Sequence, residues 1–333
     1  MTGAAPPPPH LRVAATLILK LALSAGVMAF LFSRIPLSSL RQALAGADRG
    51  WLVAALAVLV ASNLLASYQW ERLLRAVEIE IPLWKVCSYY HVGLFFNNFL
   101  PANIGGDIAR VADASRFAPT RAAALSTVVM DRLIGTVALA GLALMTTLPA
   151  IDRFHLSVIY AALVGFFGIS VTLLWAVFHP GLLPALERVL ARVGLASLKP
   201  HLDELARRFR DFRDRRRMLI GLLALATLIQ LARVAVHVLV ARALGLQVPL
   251  PYFFLFVPLL AVIVSLPISL NGIGVREGAG IVLFGLVGVD RARAFSLQFT
   301  TYLVAVAVSL LGAVVYLARM PRRRAARDSR RNA

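Results

Sequence analysis

The chain has 333 residues, of which 59% are hydrophobic and only 15% are charged, and its mean hydropathy is +0.79. Soluble domains carry charge on about a quarter of their residues, so this composition excludes an ordinary soluble domain and indicates an integral membrane protein. The formal net charge of +19 does not indicate nucleic-acid binding, because the excess arginines cluster beside apolar segments, at 207–217 and 319–331. Basic residues gather on the cytoplasmic side of membrane proteins. The charge therefore predicts a multi-pass membrane protein with both termini cytoplasmic, and no nucleic-acid partner.

The predicted elements begin with a proline-rich lead at 1–11, which has the composition of a disordered segment. A transmembrane domain follows at 12–318, with apolar runs of about 20 residues that are long enough to cross a bilayer. The first run resembles a signal-peptide core, but Lys20 interrupts it, and an uncleaved helix is expected. A basic cytoplasmic tail is predicted at 319–333. The predicted membrane segments are 13–32, 51–70, 122–148, 156–178, 218–241, 252–270 and 294–318.

The stretch 87–103 is apolar but interrupted, and basic loops flank it on both sides. Both flanks then lie in the cytoplasm, which predicts a re-entrant hairpin that turns near Pro101. In the second half, 252–289 either crosses the membrane twice or forms a hairpin from the outside. The prolines Pro258 and Pro267 and the shortness of the second arm favour the hairpin. The predicted fold is all-α and polytopic, with six to eight transmembrane helices.

A repeated element supports this organisation. The pair Leu100-Pro101 recurs as Leu266-Pro267, and when the two pairs are aligned without a gap, Gly106 meets Gly272 and Arg110 meets Arg276. The two halves, 51–148 and 218–318, then have opposite topology, as in transporters built from inverted repeats with broken segments. The alternative is chance, because Leu-Pro pairs and glycines are common in membrane segments.

Breaking a helix inside the membrane frees backbone groups that lipid cannot satisfy, so the breaks must be buried in protein or line a polar cavity. Glycine permits the sharp turns that a break requires. Asparagine amides, among them Asn97, Asn103 and Asn271, can bond the freed backbone. The predicted structural breaks are Pro101, Gly105, Gly106, Pro267, Gly272 and Gly274.

Ionisable residues beside these breaks are costly in a membrane unless they are paired or hydrated. Asp131 and Arg132 lie deep inside an apolar run, and Gln230, Arg233 and His237 share one helical face. Structural ion pairs explain this set, and so does a headgroup site in which arginine binds phosphate with two hydrogen bonds; a proton relay is a third explanation. The predicted headgroup-binding residues are Asn98, Asp107, Arg110, Asp131, Arg132, Arg276 and Glu277.

The sequence contains no metal-ligand cluster, phosphate-binding loop or nucleophile motif, and it has a single cysteine, Cys87. No catalytic residue, metal or cofactor is therefore predicted, and the chain is expected not to be an enzyme.

Three segments of the sequence resemble those of a known family. They run from Phe96 to Asp107, from Met130 to Gly135 and from Leu266 to Gly278. In this order they resemble the lysylphosphatidylglycerol synthase transmembrane-region family, a flippase-like domain found alone or fused to an aminoacyl-lipid synthase. The resemblance covers about residues 12–318 and implies a bacterial or archaeal inner-membrane protein.

Fused members of the family move aminoacylated phospholipid between leaflets. This chain carries no synthase domain, so lysyl transfer is not implied. By position, the resemblance selects Asn98, Pro101, Gly105, Gly106, Asp107, Asp131, Arg132, Pro267, Gly272, Gly274, Arg276 and Glu277.

These observations predict a translocator of a membrane lipid or lipid-linked intermediate, whose headgroup passes through a polar cavity between the two breaks. The expected ligand is an anionic phospholipid or a polyprenyl-linked lipid, with a lipid-modifying enzyme as a partner. Two alternatives stay open: a membrane-embedded transferase, and a non-catalytic accessory protein of envelope lipid or glycan synthesis.

Overall fold

A computed structural model describes residues 41, 44–99, 105–154, 157–179, 199–213, 215–265 and 272–331. Throughout these ranges the regular elements are helices, which confirms the all-α prediction. The proline-rich lead, the predicted span 13–32 and the turns with Pro101 and Pro267 lie outside the described residues. The helices are α1 Arg49–Ala76, α2 Leu83–Phe99, α3 Gly105–Ala114, α4 Arg121–Thr147, α5 Ile151–Phe154, α6 Ser157–Phe178, α7 Lys199–Arg213, α8 Arg216–Ala243, α9 Leu250–Ser265, α10 Val275–Gly285 and α11 Arg291–Arg331. A 3₁₀ turn, Leu148–Ala150, joins α4 to α5.

Five of the described helices are long and apolar enough to cross a membrane, which establishes a multi-pass membrane protein. They are α1, α4 with its 3₁₀ extension, α6, α8 and α11 as far as Arg319. Each corresponds to a predicted span. The remaining predicted span inside the described region, 252–270, is α9, which has only 16 residues and is about 24 Å long.

The long helices alternate in direction. The backbone N–H of Asp48, which precedes α1, donates to the carbonyl of Ala243 at the end of α8 over 2.9 Å, so α1 and α8 are antiparallel. Residues near the start of α4 (Ala123, Ala124) share one buried cluster with residues near the start of α8 (Leu222, Ala226), and residues near the two helix ends share another, so α4 and α8 run the same way. We call the side where α4 and α8 begin the basic side, since it carries the exposed arginines of 207–217. The opposite side is the far side.

Helices α2 and α3 form a hairpin, which we call hairpin one, with both ends on the basic side. Its arms touch backbone to backbone, because a Cβ placed on Gly106 would clash with the carbonyl oxygen of Gly93. The side-chain oxygen of Asn97 accepts a 2.8 Å hydrogen bond from the Gly106 N–H. This bond satisfies one of the donors freed at the start of α3, which is the role predicted for the asparagines near the break.

Helix α11 holds hairpin one in place. A Cβ on Gly312 would clash with the carbonyl oxygen of His91, so α2 and α11 also meet at their backbones. At the basic side Arg319 bonds the Ser88 hydroxyl, pairs with the buried Asp113 at 3.4 Å and stacks on Tyr89 at 4.5 Å. The first hairpin is therefore fixed to the last helix of the second half.

Helices α9 and α10 form the corresponding hairpin two, with both ends on the far side. Phe253 and Phe256 near the start of α9 pack on Phe284 near the end of α10, with ring centroids 5.6 and 5.3 Å apart. Tyr252 of α9 also packs on Phe154, which follows the far end of α4, at 6.0 Å. The described arms have only 16 and 11 residues, about 24 and 16 Å, and these lengths favour the hairpin interpretation of 252–289 over two crossings.

The packing of the two halves is reciprocal. Helices α1 and α8, the first spans of the halves, pack on each other. Hairpin one packs on α11, the last span of the second half, and hairpin two packs on α4, the last span of the first half. Equal lengths of 28 residues for α1 and α8 complete the correspondence. This is the arrangement expected of an inverted repeat.

The ungapped alignment of the two breaks does not describe the second arms. Arg110 is the sixth residue of α3, whereas Arg276 is the second residue of α10, and Gly272 precedes α10 although Gly106 lies within α3. The equivalence of Arg110 with Arg276, and of Gly106 with Gly272, is therefore wrong. The third residue is acidic in both arms, Asp107 in α3 and Glu277 in α10.

The Arg-rich segment before α8 is an amphipathic helix rather than a plain charged loop. Helix α7 buries Phe209 and Phe212 against α4 and α6, while Arg207, Arg210 and Arg213 are exposed. An apolar stripe under a basic face is typical of a helix that lies along a membrane interface.

We expect Gly106→Ala to destabilise the protein. The added methyl must push against the carbonyl of Gly93, and overpacking of this kind costs about 1–3 kcal/mol. The thermal midpoint of the purified protein in detergent should fall. The control is Gly221→Ala on α8, where a Cβ meets nothing within 4 Å, and its midpoint should be unchanged or higher. Equal midpoints for the two variants would contradict the close contact of α2 and α3.

The topology predicts which sites an impermeant thiol reagent reaches. In a Cys87→Ala background and in intact cells, Asp152→Cys at the far side should react with reagent added outside. Ala112→Cys, at the basic end of hairpin one, should react only after the membrane is permeabilised. External labelling of Ala112→Cys would contradict the predicted cytoplasmic position of the basic side.

Candidate functional site

The tip of hairpin one carries an ion pair to α4. The guanidinium of Arg132 donates to both carboxylate oxygens of Asp107, with Nε–Oδ2 and Nη2–Oδ1 distances of 2.9 Å. Asp107 is the third residue of α3, where the positive end of the helix dipole favours a carboxylate. The Thr136 hydroxyl, one turn beyond, donates to the carbonyl of Arg132. The first turn of α3 is thus anchored to the middle of α4.

A second, buried pair lies beneath the first. Arg110 donates to Asp131 at 2.8 Å, and Asp131 also accepts a 2.9 Å bond from the Gln69 amide of α1. The Arg110 guanidinium lies over the rings of Trp70 and Tyr90, at 4.3 and 4.9 Å, and its side chain is only 5% exposed. This network joins α1, α2, α3 and α4 and pairs the buried charge, although among the described residues Arg110 Nε donates no hydrogen bond and Gln69 Oε1 accepts none.

The two pairs differ in exposure. Arg132 lies about 16 Å along α4 from the start of the helix, close to its midpoint, yet its side chain is 52% exposed. A charged side chain that faced hydrocarbon at this depth would cost several kcal/mol. The Asp107–Arg132 pair must therefore face water or a polar headgroup, whereas the Arg110–Asp131 pair is enclosed by protein.

The tip of hairpin two is built in a corresponding way. Gly274, with φ +83°, ends the turn, and its N–H donates to the buried Glu277 carboxylate over 2.7 Å. The Arg276 guanidinium lies 4.9 Å from the ring centroid of Tyr302. Tyr302 lies as far after the start of α11 as Arg132 lies after the start of α4. Hairpin one therefore reaches α4 from the basic side and hairpin two reaches α11 from the far side. Each tip contacts the long helix that follows it at the same distance from the start of that helix.

One face of α8 lies between the tips. Gln230 donates to the carbonyl of Gly135 over 3.3 Å and accepts a 3.3 Å bond from Arg233. The His237 ring, one turn further, bonds the Arg233 carbonyl at 2.9 Å. Gly135 lies nearly one turn beyond Arg132, so the bond from Gln230 places this face of α8 beside the part of α4 that carries the Asp107–Arg132 pair.

The structure brings most of the predicted residues together. Asp107, Arg110, Asp131 and Arg132 form one cluster, and Arg276 and Glu277 form the tip on the opposite side. Asn98 lies near the end of α2, but its neighbour Asn97 makes the bond to α3.

Sequence reasoning did not identify Gln69, Trp70, Tyr90 and Tyr302. Gln69 was detectable as a polar residue in an apolar run, since it reaches Asp131. The three aromatic residues gave no such signal, because aromatic side chains are usual in membrane helices.

The site is cationic overall. Among the described residues at this level, four arginines (110, 132, 233 and 276) accompany three carboxylates (Asp107, Asp131 and Glu277). The N-termini of α3 and α10, whose dipoles favour anions, lie among these charged residues. In the part of the chain that the structure describes, no three His, Cys, Asp or Glu side chains are close enough to hold a metal ion. The arrangement suits the binding of an anion such as a phosphate diester.

The fold and the site define a polytopic α-helical membrane protein with two broken segments and ionised residues at its centre. The chain belongs to the family described as Lysylphosphatidylglycerol synthase TM region, whose sequence profile matches residues 17–312. The family name associates the chain with membrane phospholipid. A search of curated proteins found no match to this chain.

We expect Arg110 to act mainly in stability. Arg110→Met leaves Asp131 in the protein without its cation, and breaking a buried pair in this way costs about 3–5 kcal/mol. The double variant Arg110→Met/Asp131→Leu removes both charges and should recover part of the lost thermal midpoint. A double variant that is as unstable as the sum of the single variants would show that the two side chains are not coupled.

Proposed function

We propose that the protein moves a phosphate-bearing lipid between the leaflets of the membrane. The headgroup passes between the tips of hairpins one and two, and the acyl chains stay in the bilayer. The observation that carries this proposal is the exposed Asp107–Arg132 pair close to the midpoint of α4. Such a pair is stable at this depth only where water or a polar headgroup reaches it.

Each part of the site has a role in this proposal. Arg132 and Arg276 bind the phosphate, because a planar guanidinium matches a phosphate with two parallel hydrogen bonds. Asp107 accepts the hydrogen bonds of the Arg132 guanidinium until the phosphate replaces its carboxylate. Arg110 and Asp131 hold hairpin one in position. The predicted orientation places the basic side in the cytoplasm. The cytoplasmic end of the headgroup path is then beside hairpin one, whichever direction the lipid moves.

The proposal is tested with purified protein in liposomes that contain a fluorescent phospholipid in one leaflet. The wild-type protein should increase the rate at which the fluorophore becomes accessible to a quencher in the other leaflet. Arg132→Gln and Arg276→Gln should lower this rate at least tenfold, with thermal midpoints close to that of the wild type. The control is Arg293→Gln, an exposed arginine at the far end of α11 whose charge lies outside the site.

Other outcomes would replace this proposal. A wild-type rate equal to that of protein-free liposomes, for anionic and zwitterionic lipids alike, would favour the accessory role. A covalent change in the lipid, detected by mass spectrometry of the same liposomes, would favour the transferase.

A further inference from the structure

Arg233 has the properties of a ligand-binding residue, although it is not among the predicted site residues. Its side chain is exposed at a depth of about 25 Å from the start of α8. The partner of its guanidinium is the neutral amide of Gln230, at 3.3 Å. At such a depth the charge is not compensated by this amide, so Arg233 must face water or a headgroup, like Arg132.

The relative depth of the two arginines follows from one contact. Gly135 of α4 and Gln230 of α8 touch, and they are equally far from the basic-side starts of their helices. Arg132 precedes this level by nearly one helical turn, and Arg233 follows it by the same amount. With a rise of about 1.5 Å per residue, the two guanidinium-bearing residues are about 9 Å apart along the membrane normal. Arg132 is nearer the basic side and Arg233 is nearer the far side.

The two arginines also belong to different parts of the repeat. Arg132 is bonded to Asp107 of hairpin one, which opens from the basic side. Arg233 lies on α8, which packs on α9 of hairpin two. Both arginines lie within one helical turn of the contact between Gln230 and Gly135, where α8 and α4 meet. A phosphate released by one would be within reach of the other.

We propose that Arg132 and Arg233 are successive binding positions for the phosphate of one lipid headgroup, the first reached from the basic side and the second from the far side. This inference rests on the proposed function and specifies the route of the headgroup phosphate through the protein. At the first position the phosphate replaces Asp107, and at the second it replaces the Gln230 amide. The ligand chemistry is a phosphate mono- or diester, because a cationic headgroup would meet an arginine at both positions.

Accessibility to a negatively charged thiol reagent tests the order of the positions. In a Cys87→Ala background, in proteoliposomes of known orientation, Arg132→Cys should be modified from the basic side and Arg233→Cys from the far side. Should these variants fold poorly, Ile108→Cys beside Asp107 and His237→Cys beside Arg233 report on the same positions and leave both arginines intact. Modification of both positions from one side only would overturn the proposal.

Ligand protection identifies the source of the phosphate. With protein in micelles of a phosphate-free maltoside detergent as the reference, added phosphatidylglycerol should slow modification at Ile108→Cys and His237→Cys. Inorganic phosphate at millimolar concentration should not slow it, if the ligand is a lipid headgroup. Protection by inorganic phosphate alone would contradict a lipid ligand, and absence of protection by either would contradict phosphate binding.

Transport by charge-neutral variants separates this inference from the proposed function. Arg233→Gln should lower lipid translocation at least tenfold, and Arg132→Gln/Arg233→Gln should be no slower than either single variant, because both act on one path. Normal translocation by a well-folded Arg233→Gln protein would overturn the second position and leave the proposed function intact. No translocation by the wild-type protein would overturn both.

Discussion

The fold depends on keeping the ionised side chains near the middle of its long helices paired or solvated. Arg110 and Asp131 are paired at 2.8 Å within protein, and Arg132 and Asp107 are paired in a position that is open. An unpaired charge at the enclosed place would cost several kcal/mol, whereas at the open place water or a headgroup can solvate it. The enclosed pair joins four helices and stabilises the break in hairpin one. The open pair holds the tip of that hairpin where a competing anion can reach it.

The inverted repeat explains why the site lies at the centre. The described arms of each hairpin are shorter than the five long helices, and each hairpin packs on the last long helix of the other half. Neither half could therefore bury its broken segment alone. The close backbone contacts at Gly106 and Gly312 leave no room for a side chain, so hairpin one is held by shape as well as by charge. The phosphate path that we propose runs along α4 and α8, which have the same direction.

Much of this organisation was predictable from the sequence. Arginine asymmetry and the length of apolar runs predicted the spans, both hairpins and the opposite topology of the halves. The register of the second arms was not predictable, because an ungapped alignment ignores the different lengths of the two turns, and Arg110 and Arg276 were wrongly paired. The separation of Arg110, which is buried, from Arg132, which is exposed, was also not predictable. It depends on Trp70 and Tyr90, aromatic residues from helices distant in sequence.

Water access to the centre is the claim on which the account depends, and a spin label on Thr136→Cys, one turn from Arg132, measures it most directly. The reference is a label on Ile169→Cys, an exposed residue of the peripheral helix α6. In lipid bilayers, power saturation with a water-soluble nickel chelate and with oxygen reports the surroundings of each label. The account predicts that the label at 136 is relaxed by the chelate and the label at 169 by oxygen. Oxygen-dominated relaxation at both sites would show that the centre is dry, and would contradict a headgroup path between the hairpins.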